Sequence, residues 1–81
     1  MFVYFLKSLK NNDIYVGSAF DVSGRLRLHN ASRVKSTKSG VPWKLLDFIF
    51  CETRSEAVRK ERFFKTGQQK EILRKKYVKA W

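Results

Sequence analysis

The sequence predicts an α+β fold: a small three-stranded, mostly antiparallel sheet flanked by helices, in the order β-β-α-β-α-α. Three observations point there. Two short apolar runs, Phe2–Leu6 and Ile14–Gly17, are split by a polar stretch whose Asn11, Asn12 and Asp13 tolerate left-handed backbone and start turns. A third β-rich run, Trp43–Cys51, follows later in the chain. Between and after these runs, apolar residues recur at helical spacing behind residues that cap helix N-termini.

In the first strand Phe2, Tyr4 and Leu6 alternate with Val3, Phe5 and Lys7, so both faces are largely apolar. Such a strand suits the middle of a sheet covered on both sides. After Gly17, Asp21 is a good N-cap for a helix reaching about Asn30, with Val22 and Leu26 as its apolar stripe. Gly24 lies inside that helix and costs about 1 kcal/mol against alanine. Ala31–Pro42 reads as a basic loop carrying Arg33, Lys35 and Lys38 and no acid. The third strand must then return beside the hairpin, with Trp43 as a structural anchor. Thr53 and Glu56 have capping-box spacing, and a helix follows to Lys65 or Thr66, with Gly67 expected as its C-terminal stop. A last helix is expected from Gln68 to about Lys79, burying Ile72, Leu73, Tyr77 and Val78, with Tyr77 and Trp81 in packing roles.

Eighty-one residues are expected to form one domain, 1–81, with no linker, repeat or low-complexity tract dividing them. A chain of this size buries only about 60–65% of its unfolded surface, so large side chains must fill the core. Seven Phe, three Tyr and two Trp meet that need. The single cysteine, Cys51, allows no internal disulfide or zinc site. The N-terminal apolar run is too short for a signal peptide or membrane span, so a cytoplasmic setting is expected. With no heptad pattern or long exposed apolar stripe, a monomer is expected as well.

Charge narrows the partners. Eighteen Lys+Arg against seven Asp+Glu give a formal +11. Such an excess favours polyanions, nucleic acid first, and ranks a membrane surface lower. Ten basic against three acidic residues fall within positions 53–81. That stretch would hold backbone phosphates without reading sequence, in a salt-sensitive way. Arg27, Lys35, Lys38, Arg59, Arg62 and Lys65 are the candidate contacts.

Some residues sit oddly in these patterns. On a wheel at about 100° per residue, Glu61 falls near 40° from Ala57, inside the apolar stripe that Val58 and Phe64 complete. A carboxylate buried there needs a partner. An internal salt bridge and a metal or acid–base role in a cleft fit the pattern about equally. Arg25 and His29, four apart, share a face beside Val22 and Leu26. A solvated basic face is the commoner meaning of such a pair, and core packing the commoner meaning of Tyr4 and Tyr15. Their coincidence with Glu61 is what draws notice. A guanidinium grips phosphate oxygens in bidentate fashion, and a single carboxylate suits Mg²⁺, which keeps several waters.

These residues also stand in a recognisable order. Val3-Tyr4-Phe5, Tyr15-Val16-Gly17, Arg25 to Asn30, Lys35-Ser36-Thr37, Pro42 to Leu45 and Glu56 to Glu61 together resemble the GIY-YIG endonuclease superfamily. The resemblance is to its small single-domain bacterial members, the UPF0213 group. It implies a nuclease that cuts phosphodiesters with one Mg²⁺ or Mn²⁺ ion. In those terms Tyr4, with Tyr15 and His29, orients or deprotonates the attacking water, Arg25 meets the developing phosphorane charge, and Glu61 holds the metal. Tyrosine is a weak base at its reference pKa near 10 and needs nearby cations to serve. His29 is chemically the easier base.

Three departures stand out: Val3 and Phe5 replace Gly and Ile of the first triplet, Gly24 stands where a second basic residue is frequent, and no attached DNA-binding domain is seen. The expected activity is therefore a DNA endonuclease of weak sequence preference, in repair or recombination. A non-catalytic basic module for DNA or structured RNA is the alternative, and a ribosome-associated structural protein a third.

Overall fold

The computed structural model describes residues 1–77. The expected extension of the last helix to Lys79, with Val78 and Trp81 in its packing, lies outside the described residues.

The chain forms β1 (Phe2–Ser8), β2 (Ile14–Ala19), α1 (Val22–Asn30), a 3₁₀ segment (Lys35–Gly40), β3 (Trp43–Phe50), α2 (Arg54–Phe64) and α3 (Gly67–Lys76). The sheet order is β2-β1-β3 and both pairings are antiparallel, so the doubly apolar β1 is central as expected. The hairpin turn closes through Asn12 N–H on Ser8 O and Ser8 N–H on Asp13 O. Asn12 takes the left-handed backbone (φ 64°) that asparagine tolerates.

Two apolar layers cover the sheet. Val3, Phe5, Ile14 and Val16 pack with Ala57 of α2 and Leu73 of α3 on one face. On the other, Tyr4, Leu6, Ala19 and Trp43 pack with Val22 and Leu26 of α1. Leu46 is an extra residue in β3 opposite the Phe5–Leu6 step, a bulge after which Leu45 pairs with Leu6, and Leu45 and Leu46 serve opposite layers.

Caps hold the helices as the sequence predicts, with differences. Asp21 accepts from Gly24 N–H (3.1 Å). A Cβ on Gly24 would come within 2.6 Å of the Asp21 carboxylate, so its bareness makes room for the cap. Thr53 accepts from Glu56 N–H, but Glu56 reaches back to Glu52 N–H rather than to that of Thr53. Gly67 is not a C-terminal stop. Lys65 ends α2 in right-handed backbone (φ −79°), and Thr66 caps α3 by accepting from Gln69 N–H, which makes Gly67 its first residue. No left-handed glycine is needed where the next helix begins with an extended Thr.

Other corrections concern burial and the loop. Lys35–Gly40 is a 3₁₀ turn rather than open loop, tied down by Trp43 Nε1–H on Thr37 O and Ser8 Oγ–H on Gly40 O. Ile72 is exposed, whereas Leu73 is buried and Tyr77 half-buried. Phe20, Phe48, Phe50 and Phe63 are each more than half exposed. The core is therefore built on Tyr4, Leu6, Val3 and Ile14 more than on phenylalanine. At one end of the sheet the exposed rings of Phe48 and Phe50 stand edge-on to the half-buried Phe2.

Candidate active site

Tyr4 of β1 lies in register with Gly17 of β2, and Tyr15 with Leu6, so both tyrosines project from the α1 side of the sheet. The tyrosine ring lies across Gly17: a Cβ there would sit 2.6 Å from Tyr4 Oη. The two tyrosine centroids are 6.3 Å apart.

Helix α1 brings His29 over both rings, 5.9 Å from that of Tyr4 and 4.9 Å from that of Tyr15. His29 is fully buried rather than part of a solvated face. Its Nε2 lies 2.9 Å from Tyr4 Oη and its Nδ1 2.7 Å from Thr37 Oγ1, while Thr37 Oγ1 is 3.4 Å from Val34 O. A carbonyl accepts only, and a hydroxyl has one proton. All three contacts are met together in a single arrangement. Thr37 donates to Val34 O, His29 Nδ1–H donates to Thr37 Oγ1, and Tyr4 O–H donates to the Nε2 lone pair. Burial, and then the neighbouring Arg25 charge, hold the His29 pKa below its ordinary value, which keeps this imidazole neutral. Burial raises the Tyr4 pKa, partly offset by Arg25. The result is a protonated phenol directed at a neutral imidazole.

Arg25 is half-buried one turn before His29, and its Nε is buried with no acceptor among the described residues. A buried N–H left unpaired costs about 1–3 kcal/mol. An anionic oxygen arriving there would relieve that cost. The hollow beside it, about 500 Å³, is walled by Arg25, Arg27 and Phe20.

Glu61 stands on α2, which lies chiefly against β2. Its negative charge adds to burial in raising the Tyr4 pKa, as the smallest of the contributions. The salt bridge allowed by the sequence does form, but on the surface rather than inside: Lys65 Nζ is 3.4 Å from Glu61 Oε2, one turn along the same helix. Among the described residues no three His, Cys, Asp or Glu side chains gather as a metal cluster. One quarter-exposed carboxylate with only this partner fits a hard divalent cation that keeps mostly water and phosphate oxygens.

Of the five expected site residues, Tyr4, Tyr15 and His29 are in direct contact, Arg25 acts on the ionisation of both Tyr4 and His29, and Glu61 pairs with Lys65. The expected phosphate contacts Arg27, Lys35, Lys38, Arg59, Arg62 and Lys65 are all exposed, on α1, the 3₁₀ segment and α2 together with its C-cap. Of these, Lys65 places its Nζ 5.7 Å from the centre of the Tyr15 ring. Two contributors escaped sequence reasoning. Thr37 anchors His29, though it stood within the Lys35-Ser36-Thr37 triplet. Asn30 clamps both backbone groups of Trp43, accepting from its N–H (2.6 Å) and donating to its carbonyl (3.0 Å), which fixes the end of α1 to the start of β3.

A family model described as the GIY-YIG catalytic domain matches residues 1–77. A UPF0213 protein of Listeria welshimeri is 43% identical over 70 residues, covering 85% of this chain and 77% of that protein. A UPF0213 protein of Staphylococcus haemolyticus is 34% identical over 74 residues, covering 90% and 89%. No solved structure gives a significant match. With the family model matched over nearly the whole chain and relatives at 34–43% identity, the chain belongs to the GIY-YIG catalytic-domain family, a family of nucleases.

Proposed function

We propose that this protein is a metal-dependent endonuclease that hydrolyses DNA phosphodiesters with weak sequence preference. The observation that carries this reading is the unpaired Arg25 Nε beside the Tyr4–His29 pair. A phosphate oxygen would satisfy that N–H, and the guanidinium would then stand where charge grows in the transition state. Glu61 would hold Mg²⁺ or Mn²⁺, which when bound supplies Lewis-acid charge at the phosphate.

Proton movement follows from the hydrogen-bond directions. Tyr4 Oη takes a proton from the attacking water as its own proton passes to His29 Nε2. The imidazolium so formed is already held through Nδ1–H by Thr37. This arrangement divides the work between the two candidate bases: the phenol meets the water, and the imidazole receives the charge. Tyr4 is 1% exposed, so its hydroxyl meets water only once substrate draws the neighbouring side chains aside. Tyr15, half-buried, forms the outer wall. The exposed lysines and arginines hold flanking phosphates, in keeping with the +11 charge.

The burial of Tyr4 and His29 favours one other reading, a basic nucleic-acid-binding module with no turnover. Cleavage of labelled single-stranded, duplex and branched DNA separates the two, using Mg²⁺, Mn²⁺ or chelator with folded Glu61→Ala and Arg25→Ala variants alongside. Metal-dependent cutting that both variants lose, with binding retained, supports the nuclease. Tight binding without cutting on every substrate would select the module.

A further inference from the structure

A second hollow, about 330 Å³, lies where the β1–β2 turn, the 3₁₀ segment and the α2–α3 junction meet. Its wall includes Tyr15, Lys65, Lys70, Ser36, Ser39 and Asn11. The one acid lining it, Asp13, is matched by Arg74 at 3.5 Å. Asn11 uses its Oδ1 to accept from Asp13 N–H, and its Nδ2 has no acceptor among the described residues. Lys70 is half-buried, and its ammonium has no hydrogen-bond or ion-pair partner among the described residues. Lys65 Nζ stands 5.7 Å from the centre of the Tyr15 ring. Donor-bearing and basic residues thus gather beside Tyr15, with the charge of Lys65 met by Glu61 at 3.4 Å and that of Lys70 unmatched among the described residues.

That chemistry suits an anion carrying a flat ring. The volume lies at the lower end of small-ligand pockets, roughly 300–1,000 Å³, which is room for one nucleotide and not for a duplex. Tyr15 is shared with the candidate active site, so a ligand here would lie next to the reacting phosphate. We propose that this hollow is a nucleotide subsite. It takes the nucleotide neighbouring the cut position, with its phosphate on Lys65, Lys70 and the two serine hydroxyls and its ring against Tyr15. The proposal rests on the nucleic-acid reading above and adds Lys70, Ser36, Ser39 and Asn11 to the residues that hold substrate.

The test needs no cleavage. Backbone amide NMR shifts are followed during titration with thymidine 5′-monophosphate, or with inorganic phosphate alone, in metal-free buffer. Wild type runs beside Lys70→Gln, and beside Lys75→Gln as a control of equal charge on an exposed residue. Shifts should concentrate at Asn11, Ser39 and Lys70. Lys70→Gln should weaken binding about tenfold, the loss of one charge-assisted hydrogen bond, Lys75→Gln should leave it unchanged, and phosphate alone should bind several-fold more weakly. Absence of shifts in the lining, equal binding by phosphate alone, or a Lys70→Gln protein indistinguishable from wild type would each overturn the subsite. A wild type that binds the nucleotide yet never cuts DNA defeats the nuclease reading and leaves the subsite standing. A wild type that cuts DNA without those shifts defeats the subsite alone.

Discussion

The Tyr4 hydroxyl lies 2.9 Å from Nε2 of His29, and this buried contact joins the central strand to the first helix. Its direction is set at the far side of the ring, where Thr37 occupies Nδ1 at 2.7 Å. Replacing Thr37 by Val removes that acceptor while keeping the shape, so a buried N–H is left unpaired. The variant should lose about 1–3 kcal/mol in urea unfolding. Thr37→Ser, which restores the hydroxyl, should recover most of the loss and most of any cleavage. Equal stability of the Val variant and wild type would show that Thr37 does not hold the ring.

Stability should depend on pH through His29. Its pKa is lowered in the folded protein, so the unfolded chain binds the proton first as pH falls. Free energy of unfolding therefore rises with pH between the lowered value and about 6.5, and is lost as pH drops through that window. Urea titrations from pH 8 to pH 5 measure this slope. A flat profile until carboxylates protonate would mean that His29 ionises freely in the fold.

For Glu61→Gln, stability and metal binding should separate. Its ion pair with Lys65 is an exposed i,i+4 contact, worth about 0.3–0.5 kcal/mol. Unfolding should change by no more than that, while Mn²⁺-induced relaxation of nearby amides disappears. Severe destabilisation with Mn²⁺ binding intact would make Glu61 a structural ion-pair partner instead.

Gly17→Ala probes the seat of Tyr4. The added methyl would meet Tyr4 Oη at 2.6 Å and the Tyr15 ring edge at 2.9 Å, in a packed layer with little freedom to yield. A loss of about 1–3 kcal/mol is expected from overpacking, accompanied by displaced Tyr4 and His29 ring signals in NMR. Unchanged stability and spectra would show that the two rings are not pinned across this strand.

Much of the architecture was legible because local chemistry declares it. The alternation in Phe2–Lys7 announced a strand covered on both faces, Asn12 marked the turn through its tolerance of left-handed backbone, and Asp21 and Thr53 marked two helix starts through their own side-chain bonds. The Arg25/His29 spacing and the in-stripe Glu61 were visible for the same reason: helical periodicity places residues on a face whatever that face meets. Gly67 misled because glycine commonly ends helices, and only the Thr66 side chain, bonded to Gln69 N–H, shows that a helix begins there. Phe48 and Phe50 misled because apolarity does not say whether a helix covers a given end of the sheet.

The sequence by itself determined the order of elements, the basic charge and the residue types available for phosphate chemistry, since composition, periodicity and capping act over a few neighbouring residues. Only the tertiary structure decided what those residues meet. It buried His29 between Tyr4 and Thr37, residues 25 positions before it and 8 after it. It left Arg25 Nε without an acceptor and turned Glu61 toward Lys65 at the surface. Hydrogen-bond direction and burial depend on groups brought together from distant parts of the chain, and no local pattern encodes them.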